Sequence, residues 1–259
     1  MATDNPLILV TNDDGVSAPG LKALVEVMSE IGQVVVVAPD GPQSGMGHAI
    51  TINNLLRLEK VKVFGSVEGY QCSGTPVDCV KLAVDKILHR RPDLCVSGIN
   101  HGANSSINIL YSGTMSAATE AAIEGIPAIG FSLCDYHFDA DFSGAQKYAS
   151  IIAKNLLKDG LPESTLLNVN IPPLNPDEIK GIRICRQARA KWVEEFSERT
   201  DPRGKKYYWL TGEFVNHDHG EDTDEWALKN DYVSVVPVQF DMTAYHAINY
   251  INEKWDIDA

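Results

Sequence analysis

A run of four apolar residues that breaks into two adjacent carboxylates, LILV-TNDDG at 7–15, constrains this chain more than any other feature. Leu7, Ile8, Leu9 and Val10 show no polar alternation, so the strand they form must be covered on both faces, as in the middle of a parallel sheet. Asn12, Asp13 and Asp14 then fall at its carboxyl end, where open α/β sheets bind their ligands. No Lys or Arg precedes Lys22. Two neighbouring carboxylates repel one another unless a hard divalent cation such as Mg2+ or Mn2+ lies between them. The plainer alternative is an Asx-turn and N-cap, in which Asp only starts the next helix.

Downstream the chain alternates. Beyond Pro19, Leu21, Leu24, Val25, Met28 and Ile31 recur at helical spacing, and Gly32 closes the segment. Residues 34–38 read as a second buried strand stopped by Pro39, which completes a βαβ unit. The glycine-rich loop 39–49 carries Ser44. Three β-branched runs, 50–58, 60–64 and 67–72, predict an antiparallel excursion beside the main sheet. Pro76 begins a helix with the apolar face Val77, Val80, Ala83, Val84 and Ile87. A short strand at 94–96 runs into SGINHGANSS, and Ser112-Gly113-Thr114 opens a helix of small residues ending at Gly125. Strands at 127–133 and 166–171 flank a helix at 145–156. The expected fold class is α/β, a doubly wound, mostly parallel, Rossmann-like sheet over residues 1–174. In residues 175–259 the alternation loosens: 182–185, 207–210 and 232–238 look like strands, whereas 194–206 is polar, charged and broken by Pro202. This stretch is expected to be a C-terminal appendage of β-hairpins and helix, with arms reaching a neighbouring subunit.

The formal charge of −13 excludes a nucleic-acid polymer as partner, because such binding depends on Lys and Arg neutralising phosphates. A small anion remains compatible where a metal and backbone N–H groups supply a local positive field. The start MATDNP lacks a basic leader and no apolar run reaches membrane-spanning length, so no membrane partner and a cytoplasmic location are expected. Cys72, Cys79, Cys95, Cys134 and Cys185 form no C-x-x-C pair and suit reduced thiols.

Three loops, each following an expected strand, offer oxygen donors: Asp13 and Asp14, then Ser44, then Asn100. A hard cation wants such a set. Ser112-Gly113-Thr114 lies at a helix start, where free N–H groups and the helix dipole favour an anion. A cation beside an anion cradle points to phosphoryl chemistry. The motifs TNDDGxxAPG at 11–20, SG at 44–45, GTPxDCVK at 74–81, SGINxGxN at 97–104 and YSGT at 111–114 resemble those of the SurE family of stationary-phase survival phosphatases. LNVNIP at 167–172, TD at 223–224 and YVSVVP at 232–237 extend the resemblance over most of the chain.

The resemblance implies a metal-dependent phosphomonoesterase, a 5′-nucleotidase that also hydrolyses nucleoside 3′-monophosphates and short polyphosphate. It implies one divalent cation per subunit, Mg2+ or Mn2+ first and Co2+ or Ni2+ as alternatives, held by Asp13, Asp14, Ser44 and Asn100. Asp13, Asp14 and Asn100 would be catalytic, and Asn12, Gly45, Asn104, Ser112, Gly113 and Thr114 would contact the substrate phosphate. A homodimer or homotetramer with exchanged C-terminal arms is implied as well. Two departures stand out: Ser106 where the family often has Gly, and Met46-Gly47-His48 in place of a small polar run.

The expected reaction is in-line attack of an activated water on phosphorus. A covalent Asp13 ranks below it, since aspartyl-phosphate enzymes carry D-x-D. A phosphoacceptor switch would need a third Asp after the third strand, and a dinucleotide oxidoreductase would need G-x-G-x-x-G after the first; both are missing. His101 either protonates the leaving oxygen or only bonds its loop. His217 and His219 lie in an acidic stretch without a third spaced ligand. Arg186, Arg189 and Lys191 meet the nucleotide, a neighbouring subunit or solvent. Asp78 caps its helix or ties the site loops, and Tyr111 stacks on a base or packs in the core.

Overall fold

The computed structural model describes residues 5–256. Strand β1 (Leu7–Thr11) is buried throughout, and helix α1 (Pro19–Ser29) returns the chain to β2 (Gln33–Pro39), which pairs with β1 in parallel. Leu21, Leu24 and Met28 of α1 are fully buried, each contributing roughly 1.5–3 kcal/mol relative to exposure. Strands β3 (Leu58–Val61) and β4 (Glu68–Cys72) form an antiparallel pair, and β4 joins β2 in parallel. Helix α2 (Pro76–Leu82) starts on a capping box in which the Thr75 and Asp78 backbone N–H groups donate to each other's side chains. It passes into a single π turn (Ala83–Ile87) before β5 (Leu94–His101), the other parallel neighbour of β1.

Helix α3 (Gly113–Ile123), β6 (Ala128–Leu133), α4 (Ser143–Asp159) and β7 (Thr165–Ile171) continue the parallel order through β5, β6 and β7. α1 and α4 cover one face of the sheet, α2 and α3 the other. The doubly wound α/β architecture expected from the sequence is therefore present.

Beyond Ile171 come β8 (Ile182–Ile184), β9 (Ala190–Thr200), β10 (Lys206–Asn216), α5 (Asp224–Lys229), β11 (Val233–Gln239) and α6 (Tyr245–Lys254). β11 pairs antiparallel with β7 and in parallel with β8, giving a nine-stranded sheet in the order β3-β4-β2-β1-β5-β6-β7-β11-β8. The sheet runs on past residue 174 into 182–184 and 233–239, where Val233, Val235 and Val236 are buried. Only β9 and β10 form a sheet of their own, and α6 buries none of its residues.

Two local expectations also change. The polar stretch from 194 belongs to β9, because a two-stranded ribbon exposed on both faces needs no apolar alternation. Residues 50–57 form no strand; β3 takes the edge of β4, and the Thr51 and Arg57 backbone N–H groups donate instead to the side chains of Asp78 and Ser73. The five cysteines are free, and no helix among the described residues is long and apolar enough to cross a membrane.

Candidate active site

The carboxyl ends of β1 and β5, the loop after β2 and the start of α3 enclose a cleft of about 210 Å³, lined by Asp13, Asp14, Ser44, Gly45, Asn100, Asn104 and Ser112. β5 delivers Asn100 through a bulge, since its register against β6 slips between Ser97↔Gly130 and Asn100↔Ser132. Gly98 makes the bulge with φ +131°, and any side chain there would strike the Phe131 carbonyl oxygen. Asn100 Nδ2 donates to the carbonyls of His101 at 3.2 Å and Gly102 at 2.9 Å, which reserves its oxygen as an acceptor.

Asp13 is only 4% exposed, and the Thr114 hydroxyl donates to it at 2.5 Å. Burial pushes its pKa up to about 6; the Thr114 hydrogen bond works against that rise and the Asp14 charge adds to it. A Cβ on Gly113 would lie 2.7 Å from the Asp13 Cβ, so only glycine lets α3 start this close to the carboxylate. Ser112 caps α3 by accepting from the Met115 N–H at 3.0 Å.

Three of the residues assigned to phosphate stand behind the cleft. The Thr114 hydroxyl is committed to Asp13, Gly113 packs on the same side chain, and the Asn12 amide donates to the Gly15 carbonyl at 3.0 Å, shaping the Asp-Asp-Gly turn.

Asn104 is held by side chains that sequence reasoning missed. Its backbone N–H donates to Asn170 Oδ1 at 2.7 Å, its carbonyl accepts from Asn168 Nδ2 at 2.8 Å, and its own Nδ2 donates to the Ser132 hydroxyl at 2.9 Å. Asn170 in turn donates to Asn168, so every link of this buried network is satisfied. The signal was present as two asparagines in the otherwise apolar strand LNVNI. Ser106, at the departure from the family's glycine, takes φ +51° and is fully buried; its hydroxyl donates to the Ala188 carbonyl and its N–H to Asp224 Oδ2 at 2.7 Å.

His101 reaches Asp14 Oδ2 through its N–H at 3.4 Å and Nδ1 at 3.5 Å, while its buried Nε2 has no partner. Tyr111 and Tyr136 are exposed at the rim, which removes core packing as the role of Tyr111. Arg186 does not line this cleft: it pairs with Asp218 at 2.6 Å and Asp222 at 2.8 Å, holding both carboxyls below the usual range. The acidic stretch around His217 and His219 is thus the partner of the basic one.

The donors suit a hard cation. They are two carboxylates, a hydroxyl and an amide, all oxygen, and no Lys or Arg lines the cleft to neutralise them. Among the described residues no three His, Cys, Asp or Glu side chains gather as a metal cluster, so the neutral Ser44 and Asn100 must complete any set here.

The family model described as survival protein SurE matches residues 8–194. A protein named 5′-nucleotidase SurE from Flavobacterium psychrophilum is 66% identical over 254 residues, covering 98% of each chain. Another of that name from Christiangramia forsetii is 64% identical over 260 residues and covers both chains fully. The crystal structure of the SurE protein from Aquifex aeolicus superposes with a TM-score of 0.84 at 42% identity, covering 96% of this chain and 99% of that one. The motifs that ring the cleft and the likeness of whole chains agree, and this protein belongs to the SurE family.

Proposed function

We propose that this chain is a metal-dependent phosphomonoesterase that hydrolyses nucleoside 5′-monophosphates to nucleoside and phosphate, with nucleoside 3′-monophosphates and short polyphosphate as further substrates. The observation that carries this reading is the meeting of Asp13, Asp14, Ser44 and Asn100 in one cleft beside the N-terminus of α3. The 5′-nucleotidase names of relatives at 66% and 64% identity support the substrate class.

Asp13, Asp14, Ser44 and Asn100 would hold one Mg2+ or Mn2+, with Co2+ or Ni2+ as alternatives. Bound there, the cation supplies positive charge to the phosphoryl oxygens and acidity to an attacking water. Gly45, Asn104 and Ser112 line the space next to these ligands and orient the phosphate for in-line displacement. Thr114, Gly113 and Asn12 act one layer out, fixing Asp13 and its turn. Asp14 accepts from the His101 N–H, which helps to keep its carboxylate aimed at the cleft.

The reading includes a homodimer or homotetramer, supported by apolar side chains left exposed on the β9–β10 ribbon and α6, among them Phe196, Trp209, Tyr245 and Tyr250. A reducing compartment, the cytoplasm, suits the five free thiols. The test is phosphate release from a panel of nucleoside monophosphates with Mg2+ or Mn2+, before and after chelation. Chelator-sensitive turnover is expected; turnover indifferent to chelator, or none on any nucleotide, would overturn the proposal.

A further inference from the structure

The segment GTPxDCVK, residues 74–81, is as marked in the sequence as the cleft motifs, yet no residue of it lines the cleft. Its Thr75 and Asp78 side chains bond instead to the irregular segment 40–57 that carries Ser44 and Gly45. Asp78 is 3% exposed and, beyond capping α2, accepts from the Thr51 N–H at 3.1 Å and the Thr51 hydroxyl at 2.6 Å. The Thr75 hydroxyl donates to the Ala49 carbonyl at 2.7 Å. Lys81 pairs at 2.5 Å with Glu120, a carboxylate buried in α3, and the other oxygen of Glu120 meets His48 Nε2 at 2.9 Å. A buried carboxylate is costly unless paired, so Lys81 makes Glu120 tolerable and Glu120 in turn holds His48.

Segment 40–57 contains no helix or strand, so its shape depends on such ties. On the cleft side there are two more: the Gln43 N–H donates to the Asp13 carbonyl at 2.7 Å, and the Gly47 N–H to the Tyr111 carbonyl at 3.2 Å. Ser44 and Gly45 sit between these two bonds. His48, one of the residues that departs from the family's small polar run, is therefore the first side-chain anchor after the ligand pair.

We propose that Asp78, Lys81, Glu120 and His48 form a clamp that positions the Ser44 loop, so that residues outside the cleft set how completely the cation site is assembled. Without the clamp, Asp13, Asp14 and Asn100 stay on their strand ends while the Ser44 corner is free to leave. This rests on the proposed cation site and extends it to four residues that touch neither cation nor phosphate.

The experiment compares the parent with Thr51→Val, His48→Ala and His48→Gln, measuring Mn2+ affinity by calorimetry without substrate and amide exchange of segment 40–57. Thr51→Val and His48→Ala are expected to weaken Mn2+ binding about tenfold, the scale of one lost hydrogen bond to a charged group. Exchange at Gln43 and Gly47 speeds up in both, kcat at saturating Mn2+ changes little, and His48→Gln, which keeps a donor for Glu120, restores most of the affinity. Parent-like Mn2+ affinity in Thr51→Val and His48→Ala, whatever their melting temperature, sinks the clamp alone. A parent that binds no Mn2+ sinks the cation reading and this role together.

Discussion

In the sheet core, Leu9, Val10, Val96 and Ile129 are covered from both sides, whereas on the β9–β10 ribbon Trp192, Phe196, Trp209 and Leu210 face outward, as do Tyr245 and Tyr250 on α6. Both regions are rich in apolar residues, but only the first closes on itself within one chain. Its burial fixes the strand ends, and through them the oxygens of the cleft. The ribbon supplies none of the candidate oxygen donors, and its apolar surface is left uncovered within the chain. The proposed chemistry and the proposed assembly thus fall in separate parts of the sequence, meeting at few points such as the 2.8 Å bond from Trp192 Nε1 to Asn108 at the cleft rim.

The sharpest way to break this comparison is to remove the proposed cation. Chelation is expected to abolish phosphate release while leaving the far-ultraviolet circular dichroism unchanged; a chelated protein that loses its helical signal would show that the cation also builds the core. Asp14→Asn should lower kcat/KM by about 10³-fold, the scale of several kcal/mol of lost charge stabilisation, and steady-state kinetics across Mn2+ concentrations would reveal a smaller loss.

Asp13→Asn separates stability from chemistry. The native state of the metal-free parent binds the Asp13 proton more tightly than the unfolded chain does, its pKa rising from 3.8 to about 6. The contribution of Asp13 to stability is therefore greatest below pH 3.8 and is lost as pH rises through about 6, by about 3 kcal/mol in all. Metal-free Asp13→Asn should melt above the metal-free parent at pH 7 and match it near pH 4, although it is inactive. Equal melting at pH 7 would contradict the burial argument.

On the ribbon, Trp209→Ser should weaken self-association about 30-fold, the equivalent of about 2 kcal/mol for an aromatic anchor, with the melting of diluted subunits unchanged. Sedimentation equilibrium reads this directly, and an unaltered mass would place the interface elsewhere. The smallest effect is expected at Ser106→Gly. Relief of a left-handed serine and loss of its hydrogen bond to Ala188 are each worth about 1 kcal/mol and oppose one another, so thermal melting should barely move.

The core was legible because burial on both faces leaves unbroken apolar runs, as at 7–10 and 34–38, and Pro76 and Ser112 announce helix starts. The cleft was legible at Asp13, Asp14, Ser44 and Asn100 because carboxylates and glycines at strand ends stand out in type. What escaped was support. Asn168, Asn170 and Ser132 act through pairing across strands, and Thr114 through the packing of α3 on β1; no spacing within one segment reveals such partners. The β9 strand was missed because, with no buried face, nothing in its pattern needs to alternate; β11 was legible as a strand at 232–238, but its antiparallel pairing with β7 follows no βαβ rhythm.

That return has a consequence for the order in which the protein becomes competent. β7 carries Asn168 and Asn170, which hold Asn104, and β7 gains its outer neighbour only when β11 is laid down at 233–239. A nascent chain halted before Gln239 would already own every oxygen donor yet leave β7 as a bare edge. The support of Asn104 is therefore complete only once residues 233–239 have been laid down, and a product truncated before them would carry an open strand beside the cleft.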